Sequence, residues 1–266
     1  MPLDSRDAGC AVPAGRRAHP RLRREVLGYA GYRSGSGASV RHRLLPLAFV
    51  TLVIDFGEPD GVVTGARDRM TDRGLTGWGH GVSVGLTPAG VSALLGVPAG
   101  ELAGATVRLS DVLGRRAAEL TARLAEAPSA PARFARLDDL LTGWSTGRHR
   151  PPGLVLEAWR RLQQDHRGVG RLAADLGVSR RYLERAFRRE VGLTPGAVAR
   201  TARFQNVIGH LSRGAPLAGT AAACGYTDQP HLTRDTRALA GVTPAELAAF
   251  VQYPAAGGGL ASRHDA

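Results

Sequence analysis

The sequence predicts an α+β chain: a small β-rich N-terminal domain with a helical connector, then an all-α C-terminal domain with two helix-turn-helix motifs. Three observations carry this reading. Leu47 to Phe56 is an apolar, β-branched run closed by the turn residues Glu58-Pro59-Asp60-Gly61. From Pro88 onward the apolar residues recur at helical rather than strand period. Lastly, a block beginning at Ser179 returns 49 residues later. At 266 residues the chain is long enough for two domains with cores of their own.

In chain order, residues 1–24 hold six Arg against two Asp, with Pro2, Pro13 and Pro20, and are expected to be a disordered basic tail. A glycine-rich stretch, Gly28 to Gly37, precedes the strand-like run, and Val62–Val63 and Val82–Leu86 read as further short strands between glycines. Helical patterns follow over Gly90 to Leu95, Leu113 to Leu124 and Pro131 to Trp144. Leu113, Leu120 and Leu124, then Leu137, Leu140 and Leu141, form one apolar face. These segments make a domain of residues 25–150. Ser145 to Gly153, rich in Arg, Gly and Pro, is the linker. Residues 151–253 read as helices with short turns, and 254–266 as a flexible tail.

Composition narrows the function. The chain has 35 Arg, no Lys and 23 acids, a net charge of +12, which suggests a polyanionic partner. Cys10 and Cys224 cannot build a disulfide framework. Leu44 to Ile54 is too short to span a bilayer, and no apolar leader follows the basic start, so no membrane association and a cytoplasmic location are expected. His19, His42, His80, His149, His166, His210, His231 and His264 show no metal-ligand spacing, and no Gly-Lys-Ser/Thr follows Gly35-Ser-Gly37 or Gly77-Trp-Gly79. Neither a metal nor another cofactor is expected. His80, beside Trp78, reads as a turn residue.

The repeat is the most informative feature. Ser179, Leu183, Arg185, Phe187, Gly192, Thr194 and Pro195 recur as Asp228, Leu232, Arg234, Thr236, Gly241, Thr243 and Pro244. Five of these seven pairs are identical, which at one offset means an internal duplication. In the first copy Leu172, Ala173, Leu176, Gly177, Val178, Leu183 and Ala186 have the helix-turn-helix pattern. A small Ala lets two helices touch, Gly permits the turn and the apolar residues close the core. Ser179 caps the second helix. The second copy offers Ala221, Gly225, Tyr226, Asp228 and Leu232 with one extra residue in the turn.

The segments Ser-Arg-Arg-Tyr-Leu-Glu-Arg-Ala-Phe-Arg from 179 and Gly-Tyr-Thr-Asp-Gln-Pro-His-Leu-Thr-Arg from 225, with the closing Gly-Val-Thr-Pro, resemble the AraC/XylS transcriptional regulators over about residues 154–250. The N-terminal half resembles the sensor-type domain of some members at Leu-Thr-Pro (86–88) and Leu-Leu-Gly-Val-Pro (94–98), a match that implies no particular ligand. The resemblance implies a sequence-specific regulator bound to double-stranded DNA. Small-molecule sensing and homodimerisation both stay open for the N-terminal domain.

On a helical projection Leu183, Ala186 and Phe187 face inward, while Arg181, Arg185 and Arg188 lie within about 60° of one another on the opposite side. Such guanidinium groups can pair with guanine edges or phosphates. The resemblance makes Arg181, Glu184 and Arg185 the base-reading positions; Arg188 and Arg189 are expected on phosphates, and Arg180 opens the helix beside them. In the second copy Gln229, His231, Arg234 and Arg237 are the DNA-facing candidates, with Pro230 in the first turn.

Two features set that copy apart. Asp235 and Thr236 stand where the first copy has Ala186 and Phe187, and the linking helix contains Gly209 and His210. The second half is therefore expected to be the less stable and the weaker DNA contact, and Thr236→Phe is expected to raise its melting temperature. His210 reads as a partly buried structural residue. The rival readings are a protein-interaction module with degenerate helix-turn-helix units, and a DNA-repair alkyl-transfer enzyme. The latter needs an activated thiolate; Cys224, within Ala222-Ala-Cys-Gly, looks like packing, so no catalytic residue is expected. Residues 166–213 carry +7 of the +12 and residues 214–266 carry −1, so the first motif is expected to dominate electrostatic binding.

Overall fold

The computed structural model describes residues 10–11, 15–34, 40–58, 60–76, 79–144, 149–164 and 168–252. Its N-terminal part is built on an antiparallel sheet. β1 (Cys10–Ala11), β2 (Val26–Ser34), β7 (His80–Leu86), β4 (Val50–Asp55), β5 (Val62–Thr64) and β8 (Thr106–Arg108) lie side by side in the order 1-2-7-4-5-8. β3 (Val40–Leu44) and β6 (Thr71–Thr76) form a separate pair.

Register explains which face is buried. Tyr29, Val84, Leu52, Val63 and Val107 are directly paired from strand to strand, so their side chains share one face. That face packs on helices rather than on another sheet. α3 (Arg115–Ala125) and α4 (Ala130–Thr142) supply Leu120, Leu124, Phe134, Leu137 and Leu141 to the same core. Tyr29 stacks on Phe134 at 5.7 Å between ring centres. The helical connector is thus half of the N-terminal core. α1 (Pro88–Gly90), capped by Thr87 and continued by a π-turn over Val91–Leu95, and α2 (Leu109–Leu113) complete it.

Several expectations change. The basic tail is shorter than expected: Ala18 and Leu22 are buried, Pro20–Leu22 form a 3-10 turn, and Arg16 pairs with Tyr29 through two backbone hydrogen bonds. The Asp138 carboxylate draws this segment onto α4. It accepts from the Tyr29 hydroxyl at 2.8 Å and the His19 backbone N–H at 2.9 Å, and it forms an ion pair with Arg16. Residues 1–9, 12–14 and 254–266 lie outside the described residues, as does Trp78. The glycine-rich stretch runs as strand β2 through Ser34, and its first glycine sits where another backbone approaches closely; a Cβ on Gly28 would meet the Arg16 carbonyl oxygen at 2.8 Å. The run from Leu47 gives a strand only from Val50, since Ala48 and Phe49 turn away into the C-terminal domain's first core.

The C-terminal part is all helix. α5 (Gly153–Gln164), α6 (Val169–Asp175) and α7 (Arg180–Glu190) enclose a core of Val155, Trp159, Leu162, Leu172, Leu183 and Phe187. α8 (Pro195–Ser212) leads to α9 (Leu217–Ala223), α10 (Gln229–Ala240) and α11 (Pro244–Gln252), whose core holds Phe204, Leu211, Tyr226, Leu232, Leu239 and Leu247.

Candidate nucleic-acid interface

The pairs α6–α7 and α9–α10 are two helix-turn-helix units. Gly177 and Gly225 make their turns at φ of 66° and 72°, in the left-handed region where a side chain is strained. The second turn is longer by one residue, as the repeat spacing required. Ser179 accepts from the Tyr182 N–H at 3.1 Å and Asp228 from the His231 N–H at 2.6 Å. Both second helices therefore begin on a side-chain cap.

On α7 the division is clean. Leu183, Phe187 and Glu190 are buried; Arg180, Arg181, Arg185, Arg188 and Arg189 are exposed. Glu184 is half-buried and accepts from Arg180 Nε at 2.9 Å, so Arg180 fixes the carboxylate beside the arginine face. Tyr182, 39% exposed, extends that face with an aromatic ring that the sequence reading passed over as one more residue of the pattern. Glu190 reaches the opposite end of the helix, held by His149 at 2.7 Å and Arg189 at 2.8 Å.

The second unit presents a thinner positive face. Gln229, Pro230, Arg234 and Arg237 are exposed on α10, whereas His231 is half-buried with its ring edge-on to Tyr226 at 5.2 Å. The inward Asp235 is compensated, not stranded. It accepts from the Tyr226 hydroxyl at 2.9 Å and from Arg200 Nε at 2.5 Å, while the Arg203 guanidinium lies over the Tyr226 ring. Burial, reinforced by the Asp235 charge, raises the Tyr226 phenol above its ordinary range. A carboxylate at an inward helical position demands such partners, which was the available signal. Thr236 is fully buried, and its hydroxyl has no hydrogen-bond partner among the described residues. His210 is half-buried on α8.

Cys224 is buried, and burial pushes its thiol pKa up, the reverse of nucleophile activation. Among the described residues no group of His, Cys, Asp and Glu could hold a metal ion, and no helix is long and apolar enough to cross a membrane. His80 packs its ring edge-on against Phe56.

Comparison with known proteins agrees with the geometry. Residues 172–249 match a family described as a helix-turn-helix domain, of the AraC type, and residues 17–108 match a domain of unknown function, DUF6597. No curated protein matches the chain in sequence. Among solved structures, ToxT from Vibrio cholerae O395 bound to (E)-4-(8-methylnaphthalen-1-yl)but-3-enoic acid is similar at a TM-score of 0.52 and 10% identity, covering 84% of this chain and 98% of that one. Another ToxT structure from Vibrio cholerae gives 0.49 at 10% identity, over 84% and 97%. The chain carries, behind a DUF6597 domain, the AraC-type helix-turn-helix domain of DNA-binding transcription regulators.

Proposed function

We propose that the chain is a sequence-specific regulator whose α7 enters a major groove as the principal reading head, with α10 contributing a weaker contact about one helical turn away. The carrying observation is the outer face of α7, where five exposed arginines stand on the capped second helix of a helix-turn-helix unit. Arg181 and Arg185 reach guanine edges, Glu184 accepts from a cytosine amine, and Arg188 contacts phosphate. Arg180 steers Glu184. Gln229, His231, Arg234 and Arg237 form the second contact. The N-terminal domain modulates this binding through a small molecule or self-association, and the protein works in the cytoplasm without catalysing a reaction.

Selection from a random duplex pool tests the assignment. Loss of Arg181 should relax the preference at one base pair and leave the others. Loss of Arg188 should weaken all duplexes alike and lower the slope of log affinity against log salt by about 1. Wild-type protein that enriches no sequence at low salt would instead favour the protein-interaction reading.

A further inference from the structure

The duplicated Gly-x-Thr-Pro turns have a role beyond ending two helices. Gly192 and Gly241 are equivalent in the two repeats, both with positive φ, and each abuts the N-terminal domain. A Cβ on Gly192 would strike that of Ala103 at 2.3 Å; one on Gly241 would lie 3.5 Å from the Met70 methyl. The helix ends just before them are engaged as well. The backbone of Gly100 lies so close to α7 that a Cβ there would sit 2.1 Å from the Arg189 carbonyl oxygen. The Met70 N–H donates to the Leu239 carbonyl near the end of α10 at 2.8 Å.

The two contacting segments are one ridge. The Gly104 N–H donates to Ala66 O at 2.9 Å and the Gly65 N–H to Ala105 O at 3.0 Å. Arg67, 5% exposed, ties them together: Nε donates to Gly65 O at 3.3 Å, and one terminal nitrogen to Ala105 O at 3.1 Å and Thr106 Oγ1 at 3.4 Å. Its backbone is paired both ways with Leu47, one residue from Ala48, whose carbonyl accepts from Trp159 Nε1 on α5 at 3.0 Å. With Leu102 in the N-terminal core and Ala48 in the first helical core, the ridge is anchored to both.

We infer that this ridge, Ala66–Met70 with Gly100–Gly104, braces the C-terminal ends of both reading helices and sets their separation and tilt, with Arg67 as the positioning residue that keeps the ridge in one piece. The covalent link between the two units, α8, carries Gly209, which costs a helix about 1 kcal/mol relative to alanine. A second restraint at the far ends of α7 and α10 supplies the rigidity that two-site reading requires. The spacing role rests on the DNA-reading assignment above; the brace itself does not.

The test uses the full chain. Spin labels at Ala174→Cys and Ala222→Cys, exposed positions on α6 and α9, in a Cys10→Ser/Cys224→Ala background, report the distance between units without DNA. The distribution should be narrow, and at least about twofold broader in Gly100→Val, where a side chain meets backbone, and in Arg67→Met. On the best selected duplex, one base pair inserted between the two contacts should cost the unmodified chain about tenfold in affinity, since each step adds rise and rotation. It should cost either variant about threefold or less. An unchanged distance distribution in both folded variants overturns the brace. A broadened distribution with unaltered spacing preference overturns the spacing role. If the unmodified chain selects no duplex, the DNA reading falls and takes the spacing role with it, while the label distances still decide the brace.

Discussion

At the scale of single residues, the second unit departs from the first at Asp235 and Thr236, and the two departures have opposite consequences. Asp235 is integrated. Removing it by Asp235→Ala leaves the Tyr226 hydroxyl and Arg200 without their acceptor, and should cost about 3 kcal/mol in urea unfolding. Thr236 is not: its buried hydroxyl has no partner among the described residues, so Thr236→Val should stabilise by about 1 kcal/mol, raising the denaturation midpoint at constant slope. The enclosure of Thr236 makes valine, which adds no volume, a safer test than phenylalanine. The sequence marked both positions as unusual from their inward projection. It could not reveal the partners, because Arg200 lies 35 residues away on another helix.

At the scale of elements, the caps and turn glycines of both helix-turn-helix units were legible because each rests on chemistry within a few residues. Gly209 is the weak point of α8. A Cβ there would meet only the flexible end of Arg213, at 3.6 Å, so Gly209→Ala should stabilise by about 1 kcal/mol, read from thermal or urea unfolding. Strands β2, β3, β6 and β8 were not legible. A bulge between Val26 and Gly28 breaks the alternation of β2, and a second, opposite His42 and Arg43, leaves Arg73 as an extra residue that breaks that of β6. Where β2 meets α4, burial pushes the Tyr29 phenol up to about 12, with Arg16 opposing. An unfolded tyrosine ionises near 10, so this contribution is fully present below pH 10 and lost as pH rises from 10 towards 12. The urea midpoint should therefore fall between pH 9 and pH 11, and fall less in Tyr29→Phe.

At the scale of the whole molecule, the two parts are joined by specific groups. Trp159 Nε1 donates to Ala48 O, His149 pairs with Glu190, and Met70 N–H donates to Leu239 O. Trp159→Phe leaves the Ala48 carbonyl unpaired, costs about 1 kcal/mol and should lower the calorimetric Tm by about 2–4 °C, with the loss seated in the helical domain. Sequence by itself determined the α+β class, the duplication, the capped helix-turn-helix units and the arginine face of α7, all of which rest on periodicity and short-range chemistry. The extent of the sheet, the partners of Asp235, the burial of Arg67 and the ridge against the ends of α7 and α10 were decided only by tertiary structure. Each joins groups far apart along the chain, where local pattern carries no information about what will meet.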